Sequence, residues 1–264
     1  DTPPPEMAEV LRTAPGVTDA HIFNVTDERG ARVPVAMVER TDELLTAEAL
    51  YAHLAVNAAT TDPPVSIALV DELPRRMGVV DNERVELLWG QRIDVRKVVL
   101  HFARMPLRRP ARLGAEVVSC RHVVIVEVVD HLGRRGLGEC SPSVRIADDQ
   151  AVLNANVDYV QQELVPALVG RPLIHPRDAA RLFATLPDAG AHGIACTALE
   201  TALWDLYGHI LGRPVWSLLN EEYEFLRKAL AADEKLGELP RAAHIEGAQA
   251  LVASSRTLGA GQPD

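Results

Sequence analysis

A run of β-branched residues in the middle of the chain, residues 117–129, places the strongest constraint on the fold. Valine and isoleucine pack well on a pleated strand and lose side-chain freedom in a helix. An apolar segment at residues 93–105 precedes this run, and a turn at residues 130–133 leads into a short strand at residues 135–140. Three consecutive strands with tight connections predict an antiparallel meander.

Helical patterns follow the meander. Residues 148–168 form a long amphipathic pattern, and Pro176 suits the first position of a helix over residues 177–184. Residues 192–211 carry a continuous apolar stripe that ends at Gly212, a typical helix C-cap. Further helices are predicted over residues 223–236 and, from a weaker pattern, over residues 244–254. Strands followed by helices indicate a segregated α+β domain.

The start of the chain predicts a separate small α+β unit. Thr46 is the expected N-cap of its second helix, from which Leu50 and Leu54 face inward. Residues 89–91 are predicted to form a linker. The predicted elements of the unit are a helix (6–13), two strands (20–25 and 33–39), a helix (46–56) and a strand (65–70).

The composition favours a folded acidic protein. Of the 264 residues, 47% are hydrophobic, and the net charge is −10, so we expect no general attraction to nucleic acid or to an anionic membrane. No apolar run is long enough to span a bilayer, and the first residues lack a signal-peptide pattern. Three cysteines without close spacing argue against disulfides, which favours a cytoplasmic location. The missing initiator methionine indicates a fragment or a processed product.

The first unit contains four informative stretches: PEMAEVL (5–11), APGVTDA (14–20), LTAEAL (45–50) and VDELPR (70–75). Together they resemble the C-terminal lid of acyl-CoA synthetases and related AMP-forming ligases. In that family a Pro-Arg…Gly-Lys turn brings a lysine to the carboxylate and phosphate oxygens during adenylation, because negative charge builds there.

The lysine of that turn is missing in this chain. Val79 stands at its position, no lysine precedes Lys97, and Arg75 or Arg76 would have to replace it with a cation of different shape. The resemblance assigns ATP and CoA to a large domain that the chain lacks, so we expect no adenylation by this chain alone. The unit is then either a folded spacer or a lid that docks onto a separate ligase domain.

Three later stretches are also informative: GLGECSP (136–142), ALETALWDL (198–206) and LGRPVWSLL (211–219). With the strand and loop at residues 93–110, they resemble the N-terminal capping domain of the enolase superfamily. The pattern is similar to that of the muconate-lactonizing subgroup, which includes o-succinylbenzoate synthases, N-acylamino acid racemases and dipeptide epimerases. In those enzymes the cap closes over the substrate, and a barrel that follows holds Mg²⁺ with acidic side chains and removes a proton with lysines.

The second resemblance implies a cap without its catalytic barrel. Such a barrel needs about 200 residues. Only 44 of the 264 residues follow Asn220, and Lys228 and Lys235 do not have the spacing of the family's Lys-x-Lys pair. No Mg²⁺ is therefore expected on this chain alone, and no catalytic residue is assigned. Arg112, in a cap loop, is the candidate substrate-binding residue because it would face an anionic substrate; the alternative is a solvated loop charge.

We expect structural roles for the other residues that could carry chemistry. Glu139 and Cys140 are expected to pack the edge of the cap, and Trp204 and Asp205 to hold a helix against the sheet. The nine histidines show no metal-ligand spacing, so we expect them at the surface or at helix ends.

The predicted fold is α+β with two small domains. Residues 1–88 form a ligase-lid unit, residues 92–220 form an enolase-type cap with a three-stranded antiparallel meander and a helical bundle, and residues 221–264 form a helical or partly disordered tail. The leading functional hypothesis is an incomplete fusion of a ligase with an o-succinylbenzoate synthase, catalytically silent alone. The two enzymes act consecutively in menaquinone biosynthesis.

Two alternatives remain open. The chain is an interaction module that docks on a separate barrel or ligase domain, or pairs with itself. Otherwise it is a relative of muconate cycloisomerases, N-acylamino acid racemases or dipeptide epimerases. Nothing in the sequence favours a working enzyme with an unfamiliar site.

Overall fold

The computed structural model describes residues 5–27, 29–42, 44–58, 63–113, 116–141 and 149–232. The chain divides into two compact units, residues 1–207 and residues 208–264. The sheets of the described residues have three, two and four strands, and each is open, so this part of the chain contains no closed barrel. The α+β class predicted from the sequence is confirmed.

The first sheet lies at the start of the chain, with two helices against it. Its elements are α1 (Pro5–Arg12), β1 (Val17–Thr26), β2 (Arg32–Arg40), α2 (Ala47–Asn57) and β3 (Ser66–Val70). The central strand β2 is antiparallel to β1 and parallel to β3. Thr46 caps α2, with its Oγ1 accepting a hydrogen bond from Ala49 N at 3.3 Å, and Leu50 and Leu54 are buried. These contacts confirm the predicted cap and the predicted inner face of α2.

A second core covers the other face of this sheet. The hairpin of β4 (Arg75–Arg76) and β5 (Val79–Val80) leads into α3 (Asn82–Gly90). Trp89 of α3 is 5% exposed and packs edge-on against Phe23, with 5.6 Å between the ring centroids. Ile174, from much later in the chain, joins the same cluster. The prediction of a linker at residues 89–91 is therefore wrong, because the burial of Trp89 makes this segment the end of a packed helix.

The predicted meander is present and longer than expected. It consists of β6 (Ile93–Leu113), β7 (Glu116–Asp130) and β8 (Arg135–Cys140), with the short β9 (Pro172–Leu173) on the far edge. The order is β8-β7-β6-β9, and every pair is antiparallel. The two-residue strand β9 is too short to leave a pattern in the sequence.

Helices follow β8 in the first unit: α4 (Asp149–Tyr159), a π-helical segment (Val160–Leu164), α5 (Val165–Leu168), α6 (Pro176–Ala184), a 3₁₀ segment (Ala189–His192) and the greater part of α7 (Gly193–Leu211). The predicted helix over residues 148–168 is thus continuous but contains a π turn, in which Val165 N bonds to Val160 O. Pro166 explains the turn, because proline has no N–H to donate to the preceding turn. Pro176 opens α6 as predicted.

The second unit contains the end of α7 and α8 (Val215–Ala232). Gly212 ends α7 with φ +63°, which confirms the predicted cap. A helix starting at residue 223 is wrong: α8 begins at Val215 and runs through Glu221, which pairs with Arg213. The helix predicted over residues 244–254 lies outside the described residues, as does Lys235.

Candidate functional site

The β6–β7 hairpin extends beyond the rest of its sheet. The two strands pair as far as Leu113 and Glu116, with an irregularity between Pro106 and Ala111, whereas β8 pairs with β7 only up to Val124. Within the described residues, the outer part of the hairpin is therefore a two-stranded ribbon. We call residues 102–122 the arm.

The arm exposes large apolar side chains. Phe102, Met105 and Val117 are 67%, 54% and 60% exposed. Apolar side chains left in water forgo about 25 cal/mol for each Å² that could be buried. Several of them on one projecting element indicate a surface that contacts a partner or a ligand.

The arm is basic although the chain is acidic. Its arginines are Arg104, Arg108, Arg109, Arg112 and Arg121, against one acidic residue, Glu116. Arg104 Nε donates to Cys120 Sγ at 3.2 Å, and Arg121 Nη2 donates to Ser141 Oγ at 2.8 Å. The other three arginines are exposed, and no ion pair is found for them in the described part of the chain.

The structure places Arg112 in the strand β6 and not in a loop. It lies opposite Val117 near the tip of the arm, on the same ribbon as Arg108 and Arg109. Guanidinium groups bind carboxylates through two parallel hydrogen bonds, so three exposed arginines beside apolar side chains suit an organic anion.

A buried carboxylate lies at the root of the arm. Glu127, 9% exposed, accepts a 2.6 Å hydrogen bond from His101 Nε2 and lies 3.1 Å from Arg135 Nη1. The His101 hydrogen bond, with the charge of Arg135, holds the pKa of Glu127 below its usual value. These contacts join β6, β7 and β8 across one face of the sheet. The only trace of this cluster in the sequence is an acidic residue within an apolar run.

The glycines of the β8 motif make room for α7. A Cβ on Gly136 would lie 2.1 Å from Ala202 O, which no side chain can tolerate. Cys140, at the end of the same strand, is fully buried, and burial raises the pKa of its thiol to about 11, so the reactive thiolate does not form near neutral pH. Glu139 is exposed and accepts a hydrogen bond from Ser141. Cys140 is packed as predicted, whereas the prediction that Glu139 packs at this edge is wrong because its side chain is exposed.

Asp205 and Trp204 have different partners. The Asp205 Oδ2 atom accepts a 2.9 Å hydrogen bond from Leu137 N, so Asp205 holds α7 against β8, which confirms the prediction. Trp204 instead packs edge-on against His175, the N-cap of α6, at 5.2 Å between ring centroids. Its expected contact with the sheet is replaced by a contact between helices.

The β4–β5 hairpin carries Arg75 and Arg76, the two arginines considered as replacements for the missing lysine. Arg75 Nη2 lies 2.9 Å from Asp19 Oδ2, and its Nη1 lies 2.7 Å from Glu39 Oε2. These ion pairs hold Arg75 against the first sheet. Arg76 and Val79 are exposed on the hairpin itself.

The described residues contain neither a group of side chains placed to hold a metal ion nor a helix that could span a membrane. No group of three His, Cys, Asp or Glu side chains in this part of the chain is placed to hold a metal ion. None of the helices described here is long and apolar enough to cross a bilayer.

Comparison with known proteins gives one family match. Residues 95–220 match the model of the mandelate racemase / muconate lactonizing enzyme N-terminal domain. The o-succinylbenzoate synthase of Geobacillus kaustophilus is 31% identical over 127 residues, which cover 48% of this chain and 33% of that enzyme. The synthase of Bacillus subtilis strain 168 is 28% identical, covering 44% of this chain and 30% of the enzyme. The matched part therefore spans about a third of each relative.

Solved structures give a weaker likeness. An enolase-superfamily member from Enterococcus faecalis V583 is 22% identical with a TM-score of 0.43, covering 48% of this chain and 34% of that one. The 2-chloromuconate cycloisomerase of Rhodococcus opacus 1CP is 25% identical with a TM-score of 0.39, at the same coverage. The family match is thus to an enolase-superfamily capping domain and lies within residues 95–220.

Proposed function

We propose that residues 92–220 are the substrate-capping part of an enolase-superfamily enzyme of the o-succinylbenzoate synthase type. The observation that carries the proposal is the arm, on which Arg108, Arg109 and Arg112 are exposed, as are Phe102 and Met105. The partial match to synthases of Geobacillus and Bacillus supports it.

The arm has the physical properties that closure over an organic acid requires. Its guanidinium groups would bind the carboxylates of the substrate, and its apolar side chains would leave water on closure. Excluding water strengthens each charge interaction inside the closed site. In this proposal the arm binds and orients the substrate and carries out no bond-breaking step.

The reaction centre belongs to a barrel in this proposal. The superfamily's Mg²⁺ does not fit the described residues, which offer no cluster of three donor side chains. We therefore assign neither a metal ligand nor a general base to this chain. The barrel is either part of the same protein or a separate chain on which the cap docks.

Muconate cycloisomerases, N-acylamino acid racemases and dipeptide epimerases remain alternatives. Their substrates are also carboxylates, so the arginines of the arm suit them equally well. Turnover of a muconate or an N-acylamino acid by the chimera described below, in preference to the synthase substrate, would favour an alternative.

For residues 1–88 we propose a spacer related to the ligase lid. A lid that delivers a cation has to move, whereas Arg75 is held by Asp19 and Glu39. In addition, Arg40 of β2 forms a 2.9 Å ion pair with Asp178 of α6, which joins the unit to the later helices. ATP–pyrophosphate exchange by the purified chain with o-succinylbenzoate would contradict the spacer proposal.

The cap function is tested by replacing the cap of the Geobacillus kaustophilus synthase with residues 92–220. We expect Mg²⁺-dependent synthase turnover by the chimera and none by the 264-residue chain alone. In the chimera, Arg108→Ala, Arg109→Ala and Arg112→Ala together should raise KM at least about tenfold.

Lys97→Ala is the matched control, because Lys97 is an exposed cation of β6 outside the arm. Its KM should stay within about twofold of the parent chimera. A folded chimera without turnover, or equal effects of the arginine and lysine variants, would refute the proposed role of the arm. Turnover by the chain alone would refute its dependence on a barrel.

A further inference from the structure

An open cleft of about 650 Å³ lies beside the first sheet. The β1–β2 hairpin, the start of β3, the end of α3, the start of β6 and the turn between β7 and β8 contribute residues to its lining. This volume lies within the range of small-molecule sites in proteins. None of the lining residues belongs to the arm, so the cleft is separate from the cap function proposed above.

Part of the lining is apolar. It includes four valines and a leucine: Val25, Val33, Val35, Val65 and Leu132. Val65 and Leu132 are 60% and 66% exposed. A ligand that covered these two side chains would gain about 25 cal/mol for each Å² of apolar surface removed from water.

Arg92 is a cation held in a fixed position in the same lining. Its guanidinium group packs over the ring of Trp89 at 5.1 Å from the centroid, and its Nη1 donates to Trp89 O at 3.0 Å. Its Nη2 lies 3.4 Å from Asp94 Oδ2. The Nε–H of Arg92 finds no acceptor among the described residues and is not buried, so it is open to a ligand. A donor that is already positioned loses little side-chain entropy when it binds.

The lining offers free cationic groups but no free carboxylate. Its two acids are Asp27 and Asp94. The Asp94 oxygens each lie 3.4 Å from an arginine, Arg92 or Arg96, and Asp27 Oδ1 accepts two backbone N–H groups of its own turn. Arg29, by contrast, is exposed, and its guanidinium group has no hydrogen bond or ion pair in the described part of the chain. The groups still available for binding therefore favour an anion.

We propose that this cleft binds an organic anion whose apolar body is larger than a single ring. The anionic group accepts hydrogen bonds from the unengaged donors of Arg92 and Arg29, and the apolar body covers Val65 and Leu132. An inorganic anion would leave these apolar side chains in water, and a neutral apolar molecule would leave the arginines without a partner. The ligand therefore needs both parts.

Anilinonaphthalene sulfonate is a suitable probe, because it joins an anionic group to an apolar ring system and fluoresces when its rings leave water. Phenylnaphthylamine, which has the same rings without the sulfonate, is the uncharged control. Fluorescence titration of the full chain should show saturable binding of the sulfonate and at least about tenfold weaker binding of the amine. No saturable binding of the sulfonate, or equal binding of the amine, would overturn the proposal.

Two pairs of variants locate the site. Val65→Glu places a negative charge in the apolar lining and Arg29→Ser removes the free guanidinium group, so each should weaken binding of the sulfonate at least about fivefold. Val56→Glu on α2 and Arg84→Ser on α3 are the matched controls, because these residues are exposed and lie outside the cleft, and their affinity should stay within about twofold.

All four substitutions change exposed residues, so the variants should fold, which circular dichroism checks. Unchanged affinity in either folded cleft variant, or equal losses in a cleft variant and its control, would place the probe elsewhere on the chain and overturn the assignment.

Discussion

Gly138 lies so close to Ala198 that a Cβ on residue 138 would be 1.9 Å from the carbonyl oxygen of Ala198. The atom in contact is backbone, which cannot rotate away. β8 and α7 therefore approach each other more closely than any other residue type at this position would permit. The glycine motif of β8 is explained by this contact and not by catalysis.

The first prediction concerns this contact. Gly138→Ala should lower the free energy of unfolding by about 3 kcal/mol, because α7 has to shift away from the sheet. Chemical denaturation followed by circular dichroism measures the change. Gly90→Ala is the matched control: Gly90 lies in α3, and no atom lies within 4 Å of the position that an added methyl group would occupy, so the variant should be neutral or up to about 1 kcal/mol more stable. Equal effects at the two glycines would contradict the packing argument.

The second prediction tests the hydrogen bond between Asp205 and Leu137 N. Asp205→Ala should destabilise the protein by about 1–2 kcal/mol, because the N–H of an edge strand loses its acceptor. Asp205→Asn keeps a carbonyl oxygen at the same position and should cost less than half as much. If Asp205→Asn lowered stability as much as Asp205→Ala, the negative charge, and not the hydrogen bond, would be what stabilises the contact.

The strands and most helices could be predicted because their causes are local. The β-branched run at residues 117–129 predicts β7 without knowledge of its neighbours, and Thr46, Pro176 and Gly212 mark helix ends by their own chemistry. The helix α3 could not be predicted in the same way. Its sequence has a weak apolar pattern, and Trp89 becomes a core residue only through its contact with Phe23, 66 positions earlier in the chain.

The same difference between local and long-range causes applies to the candidate sites. Arg112 could be singled out from the sequence because its segment is expected to form a cap loop. Its place in a strand of a projecting ribbon depends on the pairing of β6 with β7. The ion pair of Arg40 with Asp178 joins residues that are 138 positions apart, so no local pattern indicates it.

The third prediction is a pH dependence that arises from His175. Burial, with a contribution from the charge of Arg177, lowers the pKa of His175 from 6.5 to about 3. Between these two values the unfolded chain binds a proton that the folded chain does not, so stability falls as pH falls from about 6.5 towards 3. The contribution of this group reaches about 1.4 kcal/mol per pH unit.

His175→Asn separates this titration from the structural role of His175. The Nδ1 atom of His175 caps α6 by accepting from Arg177 N at 3.2 Å, and asparagine also caps helices well. Loss of the ring contacts with Trp204 and Tyr207 should lower stability at pH 7. The slope of unfolding free energy against pH between 4 and 6 should nevertheless become flatter. An unchanged slope would show that other groups cause the acid sensitivity.

The fourth prediction concerns the ion pair of Arg40 and Asp178, whose side chains are 5% and 10% exposed. Arg40→Met leaves the Asp178 carboxylate buried without its main partner, and we expect a loss of about 3–5 kcal/mol. Asp178→Asn keeps an acceptor for His175 N and removes the charge. The double variant should be more stable than the sum of the two losses implies, by about 1–3 kcal/mol in a denaturation cycle.

An exposed pair provides the comparison for that cycle. Arg227 and Glu224 lie 3.0 Å apart on α8, with side chains 59% and 44% exposed, so Arg227→Gln should change stability by less than about 0.5 kcal/mol. If the Arg40 and Asp178 losses were simply additive, or no larger than that of Arg227→Gln, the pair would not hold the first sheet to α6. The spacer role proposed for residues 1–88 would then lose its physical basis, because that role rests on this pair holding the first sheet against α6.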